Sequence, residues 1–355
     1  MKLLITGICG FVGSTLARAL RETDQQVQIW GIDNLIRPGS ELNRGGLVAQ
    51  GIPFVHGDIR HASDLASLPA VDWVLDAAAN PSVLAGVDGV TNSRQLVEHN
   101  LLGTVNLLEY CRASHAGFIL LSTSRVYSIT TLSNLPMHTD NRAYHLDVRP
   151  PLPPGISAAG VAEPCSTEPP VSLYGSTKLA SECLALEYGV TFDLPVWINR
   201  CGVLAGAGQF GKADQGIFSY WVHAHRARKP LKFIGFSGSG CQVRDCLHPR
   251  DLAPLLLKQM TEAKPGIRRI QNLGGGAANS MSLAQLHDWC DARFRPHRAE
   301  PDPKPRRFDI PWMVMDSSLA REQWGWEPRT GLPEILEEIA RHAEQNPQWL
   351  EHCAV

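Results

Sequence analysis

The tightest constraint on what this chain can fold into lies in its first thirteen residues. Leu3-Leu4-Ile5-Thr6 is a short apolar run that reads as a strand, and Gly7-x-x-Gly10-x-x-Gly13 follows at once. Phe11 to Arg21 then reads as a helix. In that order, a strand, a glycine turn and a helix bring backbone N–H groups, unobstructed by side chains, to the positive end of a helix. That arrangement holds a pyrophosphate. A second apolar run, Val27 to Ile32, ends on Asp33 and Asn34. An acidic residue about 20 residues beyond the glycines is placed to accept hydrogen bonds from an adenosine ribose. Its charge would repel a 2′-phosphate, so the pattern favours NAD over NADP, with Arg37 nearby pulling the other way. The candidate cofactor residues here are Gly7, Gly10, Phe11, Val12, Gly13, Asp33 and Asn34.

The alternation continues. Pro53 to Val55, Trp73 to Leu75 and Phe118 to Ser122 read as strands, and a helix is expected from about Arg94 to Arg112. Tyr174 to Tyr188 reads as a helix, Pro195 to Asn199 and Ile270 to Leu273 as strands. Alternating elements of this kind predict an α/β fold with a Rossmann-type, doubly wound parallel sheet. Further helices are expected near Gly216 to Arg226, from Leu283 with Ser282 as its cap, and over Leu332 to Ala343, with a strand near Leu231 to Ile234. Between Thr130 and Pro170 prolines, among them Pro150, Pro151, Pro153, Pro154, Pro164, Pro169 and Pro170, interrupt the pattern, and the segment reads as a long loop or lid. Asp58-Ile59, after the third strand, reads equally as an adenine contact or as a surface turn.

Composition excludes several classes. The net charge is -2 over 355 residues, so nothing points to nucleic acid or an anionic membrane. No apolar run spans a bilayer and the N-terminus lacks a cleavage pattern. Nine scattered cysteines without a C-x-x-C pair suit a reduced, cytoplasmic protein. No H-x-x-x-H or H-E-x-x-H pattern occurs, so no metal is expected. His223-x-His225 diverges on a helix and is read as surface.

Two further groups carry chemistry. Tyr174 and Lys178, four apart on a helix, share one face. A free tyrosine titrates near pH 10 and is a poor base, but a neighbouring ammonium favours the phenolate. Leu121-Ser122-Thr123-Ser124-Arg125-Val126-Tyr127 closes the fifth strand, where ligands of such sheets bind, and the Thr123 hydroxyl is placed to orient an alcohol beside Tyr174.

Together these residues resemble the extended short-chain dehydrogenase/reductase superfamily, in its NAD-dependent nucleotide-sugar epimerase and dehydratase branch. The likeness covers nearly the whole chain and is closest to the CDP-paratose 2-epimerase (CDP-tyvelose epimerase) group. The matching stretches are Asp33 to Ser40 with Asn43, Asp214-Gln215-Gly216, Gln242-Val243-Arg244-Asp245 with His248 and Asp251, Asn272 to Gly275, and Asn279 to Ser282. By that resemblance Thr123, Tyr174 and Lys178 form a catalytic trio. Asp58, Ile59, Ala77, Ala78 and Asn100 join the cofactor set, with Tyr174 and Lys178. Asn199, Gln209, Gln215 and Arg244, with Thr123, face a nucleotide-diphosphate sugar. For Arg244 an ion pair with Asp245 or Asp251 is the competing reading. The implied division is a cofactor domain over 1–200, with strands returning from about 241–275, and a smaller mixed nucleotide-sugar domain over 201–240 and 276–355. A homodimer is implied in the same way.

Three functions follow as expectations. One is a redox-neutral epimerase working through a keto sugar. The second is a 4,6-dehydratase, which needs an acid and a base after the catalytic Thr, where this chain has Ser124-Arg125. The third is a non-catalytic NAD-binding regulator, a class that tends to lose the Tyr or the Lys.

Overall fold

Along most N-terminal strands, neighbouring apolar residues are buried on both sides, as a sheet covered on two faces requires. The computed structural model describes residues 1–353 apart from 88, 90–91 and 263–265. Seven strands, β1 Lys2–Thr6, β2 Gln28–Asp33, β3 Phe54–His56, β4 Trp73–Asp76, β5 Gly117–Thr123, β6 Val196–Cys201 and β7 Ile270–Leu273, form one parallel sheet. Their order is β7-β6-β5-β4-β1-β2-β3. The chain runs outward from β1 to β3 and then crosses back to β4, so a crevice opens at the carboxyl ends of β1 and β4. Register aligns those ends: Thr6 lies opposite Asp76, and Thr123 opposite Cys201.

Helix α1, Phe11–Thr23, sends Leu16 and Leu20 onto Leu3 and Ile5 on one face of the sheet. The other face carries Leu4, Val74, Phe118 and Ile198 under Leu107, Leu108 and Ala185. These last three come from helices α2, Gly103–Ser114, and α3, Ser172–Thr191.

Two expectations are corrected here. The helix expected over Arg94 to Arg112 is broken: Ser93–Val97 is followed by a π-helical turn, Glu98–Leu102, before α2 begins. The wider turn leaves the Asn100 carbonyl accepting from Thr104 Oγ1 at 2.9 Å and Ser181 Oγ at 3.3 Å. Such turns cluster at functional sites. The 130–170 segment is not a structureless lid. It holds a short helix, Ile129–Ser133, and two antiparallel hairpins, Met137–Asp140 with Ala143–Leu146 and Ile156–Ser157 with Gly160–Val161. Its apolar residues Leu132, Ile156 and Val161 bury against Ile310, Trp312 and Val314, from far along the chain. Partners so distant leave no local period.

The second half builds a four-stranded sheet from Val203–Leu204, Val243–Leu247, Ser280–Ser282 and Trp312–Met313. Of the 241–275 stretch, β7 joins the large sheet and Val243–Leu247 the small one. Helices α4 Ile217–Arg226, α5 Ala253–Thr261, α6 Leu283–Arg293 and α7 Leu332–Gln345 follow. Ser282 caps α6, in a reciprocal box with Gln285. His223 and His225 are buried, not surface residues. Helices α7 and α6 cover different sides of α4, so side chains two apart both find cover: His223 meets His342, and His225 meets Asp291. Among the described residues no helix is long and apolar enough to cross a membrane.

Candidate active site

At the β1 end of the crevice the wall is backbone. Gly7 has φ +61°, and a Cβ at Gly13 would stand 2.2 Å from the Gly7 carbonyl oxygen. No side chain could be added there without moving the loop. Gly10 caps α1 with no side-chain hydrogen bond, which leaves the first N–H groups of the helix open to a ligand. Asp33 accepts from Cys9 N and Leu35 N, each at 2.8 Å. Burial pushes its carboxyl up and these backbone donors oppose the shift. Asp33 therefore fastens the glycine loop while standing at its rim. Arg37 is committed elsewhere, to Gln215 Oε1 at 2.7 Å and to the Phe210 carbonyl.

The other candidate cofactor residues divide into groups. Phe11 packs with Phe210 and Trp349, and Val12 lies beside them, while Ile59 is buried against Gly103. Ala77 and Ala78 donate their N–H groups to Thr6 Oγ1 at 3.1 and 3.0 Å. Asn34 donates to Asp58, whose ion pair with Arg60 at 2.6 Å holds its carboxyl well below the usual range. Asn100 bonds Asn80 N, Asn80 O and Thr177 Oγ1, tying the chain beyond β4 to α3.

In the middle of the crevice Tyr174, on the first turn of α3 with Lys178 one turn on, faces Thr123 at the end of β5. Burial pushes the Tyr174 phenol up to about 12, and the facing Thr123 hydroxyl and the Arg125 charge oppose this. Lys178 is 2% exposed, yet its ammonium makes no hydrogen bond among the described residues. Burial lowers its pKa, against Asp76 and Glu182. A buried ammonium with open donors beside a glycine cradle fits a hydroxyl-bearing dinucleotide.

At the far end a cavity is lined by Arg125, Asp214, Phe218, Arg244, Arg306 and Asp309. Arg244 reaches it, and its ion partner is Asp309 at 2.8 Å, not Asp245 or Asp251. Gln215 is turned to Arg37. Gln209 donates to the Leu204 carbonyl at 2.8 Å and backs Gly216. Asn199 does not line the cleft: it is fully buried in reciprocal hydrogen bonds with Gln259 on α5. It faces α5 because successive β6 side chains alternate faces.

A model of the NAD dependent epimerase/dehydratase family matches residues 3–274. The chain belongs to that family. A CDP-paratose 2-epimerase from Salmonella typhi is 30% identical over 308 residues, 83% of this chain and 86% of the relative. UDP-glucuronate 4-epimerase 1 from Arabidopsis thaliana is 26% identical over 96% of this chain and 76% of its own length. The solved structure of a mutant UDP-glucuronic acid 4-epimerase from Bacillus cereus, with UDP-4-deoxy-4-fluoro-glucuronic acid and NAD, superposes with a TM-score of 0.78 at 25% identity, covering 97% of this chain and 99% of that one. This member of the family is thus an NAD-dependent enzyme of nucleotide-sugar chemistry.

The structure adds residues that the sequence alone did not single out. Glu182, one turn beyond Lys178, pairs with Arg200 at 2.6 Å, both side chains almost wholly buried. Ser122 donates to Glu182, and Arg200 reaches the Tyr127 hydroxyl, which donates to Asn272 at 2.7 Å. This network braces the strand ends beneath Tyr174. The i, i+4 step from Lys178 was the available signal for Glu182.

Away from the cleft, His225, His287 and Asp291 bring three possible ligand atoms within 4.8 Å. Metal-bound imidazoles donate their other N–H to an acceptor. Here the Trp221 indole N–H points at His287 Nδ1 and His225 Nδ1 is buried with no acceptor. The donor set fits a hydrogen-bonded cluster better than an ion.

Proposed function

We propose that this chain is a redox-neutral epimerase that inverts C2 of a CDP-linked 3,6-dideoxyhexose or a related sugar through a transient keto form. The observation that carries the reading is the convergence of Thr123, Tyr174 and Lys178 at the carboxyl end of β5, between a glycine cradle and an arginine-lined cavity. NAD, when bound, would supply the reversible hydride acceptance that such an inversion needs. The Tyr174 phenol oxygen takes the proton of the reacting hydroxyl, and Thr123 orients that hydroxyl. The Lys178 ammonium stabilises the phenolate and would hold the ribose of the cofactor. Arg244, with Arg306 behind it, holds the diphosphate. Two carboxylates are needed to remove a C5 proton and protonate the departing C6 hydroxyl, but Ser124 and Arg125 stand at those positions. The 30% identity to the CDP-paratose 2-epimerase from Salmonella typhi supports the cytidine and C2 parts of the reading.

The test is a reaction in deuterium oxide with CDP-, UDP-, GDP- and dTDP-linked sugars, read by mass spectrometry and NMR. A CDP-sugar product of unchanged mass, inverted at C2 and free of carbon-bound deuterium, is expected. Loss of water would promote the dehydratase, stoichiometric NADH release a simple dehydrogenase. Inversion of UDP-sugars at C4 alone would replace the CDP reading with that of the glucuronate epimerases.

A further inference from the structure

We propose that Arg125 is a positioning residue of this active site, a second cation beside Lys178 that holds Tyr174 ready to take a proton. The role presupposes Tyr174 as the proton acceptor.

Arg125 is locked to the reacting centre from two sides. It lies on the 3-10 turn Ser124–Val126, directly after β5, and its N–H donates to Thr123 Oγ1 at 3.2 Å. Its carbonyl presses on Gly175, the residue after Tyr174: a Cβ on Gly175 would stand 2.3 Å from the Arg125 oxygen. The turn and the first turn of α3 therefore cannot shift independently.

The guanidinium is also unusually free. Its one hydrogen bond among the described residues is from Nη1 to the Phe308 carbonyl at 3.2 Å, and it joins no ion pair there. Arg244, across the same cavity, instead bonds the Val243 and Ile310 carbonyls and pairs with Asp309. Arg244 is thus held in an ion pair, whereas Arg125 shares the field of Asp309 without a bond to it. Lys178, one turn along α3, is drawn towards Asp76 and Glu182. From β6 the Cys201 thiol acts against phenolate formation, and Arg125 acts for it. Around Arg125 itself stand Arg244, Arg306 and Asp309. A cation beside an ionising group in a water-poor cleft favours its charged form.

Arg125→Gln removes the charge and keeps a donor for Phe308, and Arg125→Lys keeps the charge. With whichever sugar nucleotide the enzyme turns over, the rise of kcat with pH should move up by about one unit in Arg125→Gln. That lowers kcat about tenfold near neutral pH, leaves the alkaline plateau near wild type and changes KM less than about threefold. Arg125→Lys should restore most of the shift. An ultraviolet titration of tyrosinate in the NAD-loaded proteins, taken as the difference from Tyr174→Phe, should show the same displacement without turnover. An unmoved titration in Arg125→Gln, a rise confined to KM, or no recovery with Lys overturns the proposal. If Tyr174→Phe keeps most of its rate, it is the reading of Tyr174 that fails.

Discussion

At the β1 end of the cleft the wall open to a ligand is main chain. Gly7, Gly10 and Gly13 withdraw their side chains so that the N–H groups of α1 can approach a phosphate, and Asp33 ties the loop down. At the opposite end the wall is made of side chains: Arg125 after β5, Asp214 and Phe218 around α4, Arg244 on the small sheet, and Arg306 and Asp309 near the C-terminal strand. A backbone site must be local, because a turn is made by consecutive residues. A side-chain site can draw on segments nearly two hundred residues apart. The first end is suited to a constant dinucleotide, the second to substrates that vary within a family.

If the two ends are built so differently, mutations should separate them. The largest effect is expected at the side-chain end. Arg244→Met should raise KM for the sugar nucleotide by roughly 10–100-fold, since hydrogen bonds from charged groups contribute about 1.5–3 kcal/mol. NAD affinity, measured by calorimetry, should stay within twofold. Because the change also strips Asp309 of its partner, Arg244→Met with Asp309→Asn is the control for folding. Equal losses for both ligands would dissolve the distinction. A smaller effect is expected at the backbone end. Gly13→Ala forces a methyl to 2.2 Å from the Gly7 oxygen. Overpacking costs about 1–3 kcal/mol, most of it felt by the loop, so NAD should bind roughly tenfold more weakly. Sugar-nucleotide KM at saturating NAD should barely change.

The same contrast governs what was legible in the sequence. Gly7 to Gly13 with Asp33, and the Tyr174–Lys178 spacing, are local patterns with a physical reason, and they specify the Rossmann-type sheet and the family. The NAD cofactor followed from them. The break at Glu98–Leu102 was hidden because a π turn needs no special composition; it accompanies the contacts of Asn100 and Thr104 with Thr177 and Ser181 of α3. The hairpins between Met137 and Val161 were hidden by prolines and by partners near residue 310. Asn199 was misplaced because a strand's two faces look alike without the helix that covers one of them. His225 was taken for surface because its cover, α6, lies sixty residues on. For Arg244, placed in the cleft, the competing reading of an ion pair named Asp245 or Asp251, and the pair is with Asp309, which approaches from another strand region.

The smallest effect is expected where the two ends join. Asp245 sits on Val243–Leu247 and accepts from Gly276 N at 3.2 Å and Met315 N at 3.4 Å, so it links the small sheet to the chain beyond β7. Its other oxygen is buried with no partner. Burial, only partly opposed by the backbone donors, pushes the carboxyl up to about 7. A raised carboxyl favours the neutral form in the folded state. The stability it contributes is whole below the unfolded value near 4 and is lost as pH rises through about 7. Between pH 5 and pH 8 the loss is on the order of 2 kcal/mol, a few degrees in Tm for a chain of this size. Asp245→Asn keeps an oxygen for the two N–H groups and cannot ionise. Its Tm should therefore match wild type near pH 5 and exceed it by a few degrees at pH 8, by differential scanning calorimetry of the NAD-loaded proteins. Other groups titrate alike in both proteins and cancel in the difference. Parallel curves across that range would show that Asp245 is already charged in the fold, and that the joint is held by an ion rather than by a buried acid.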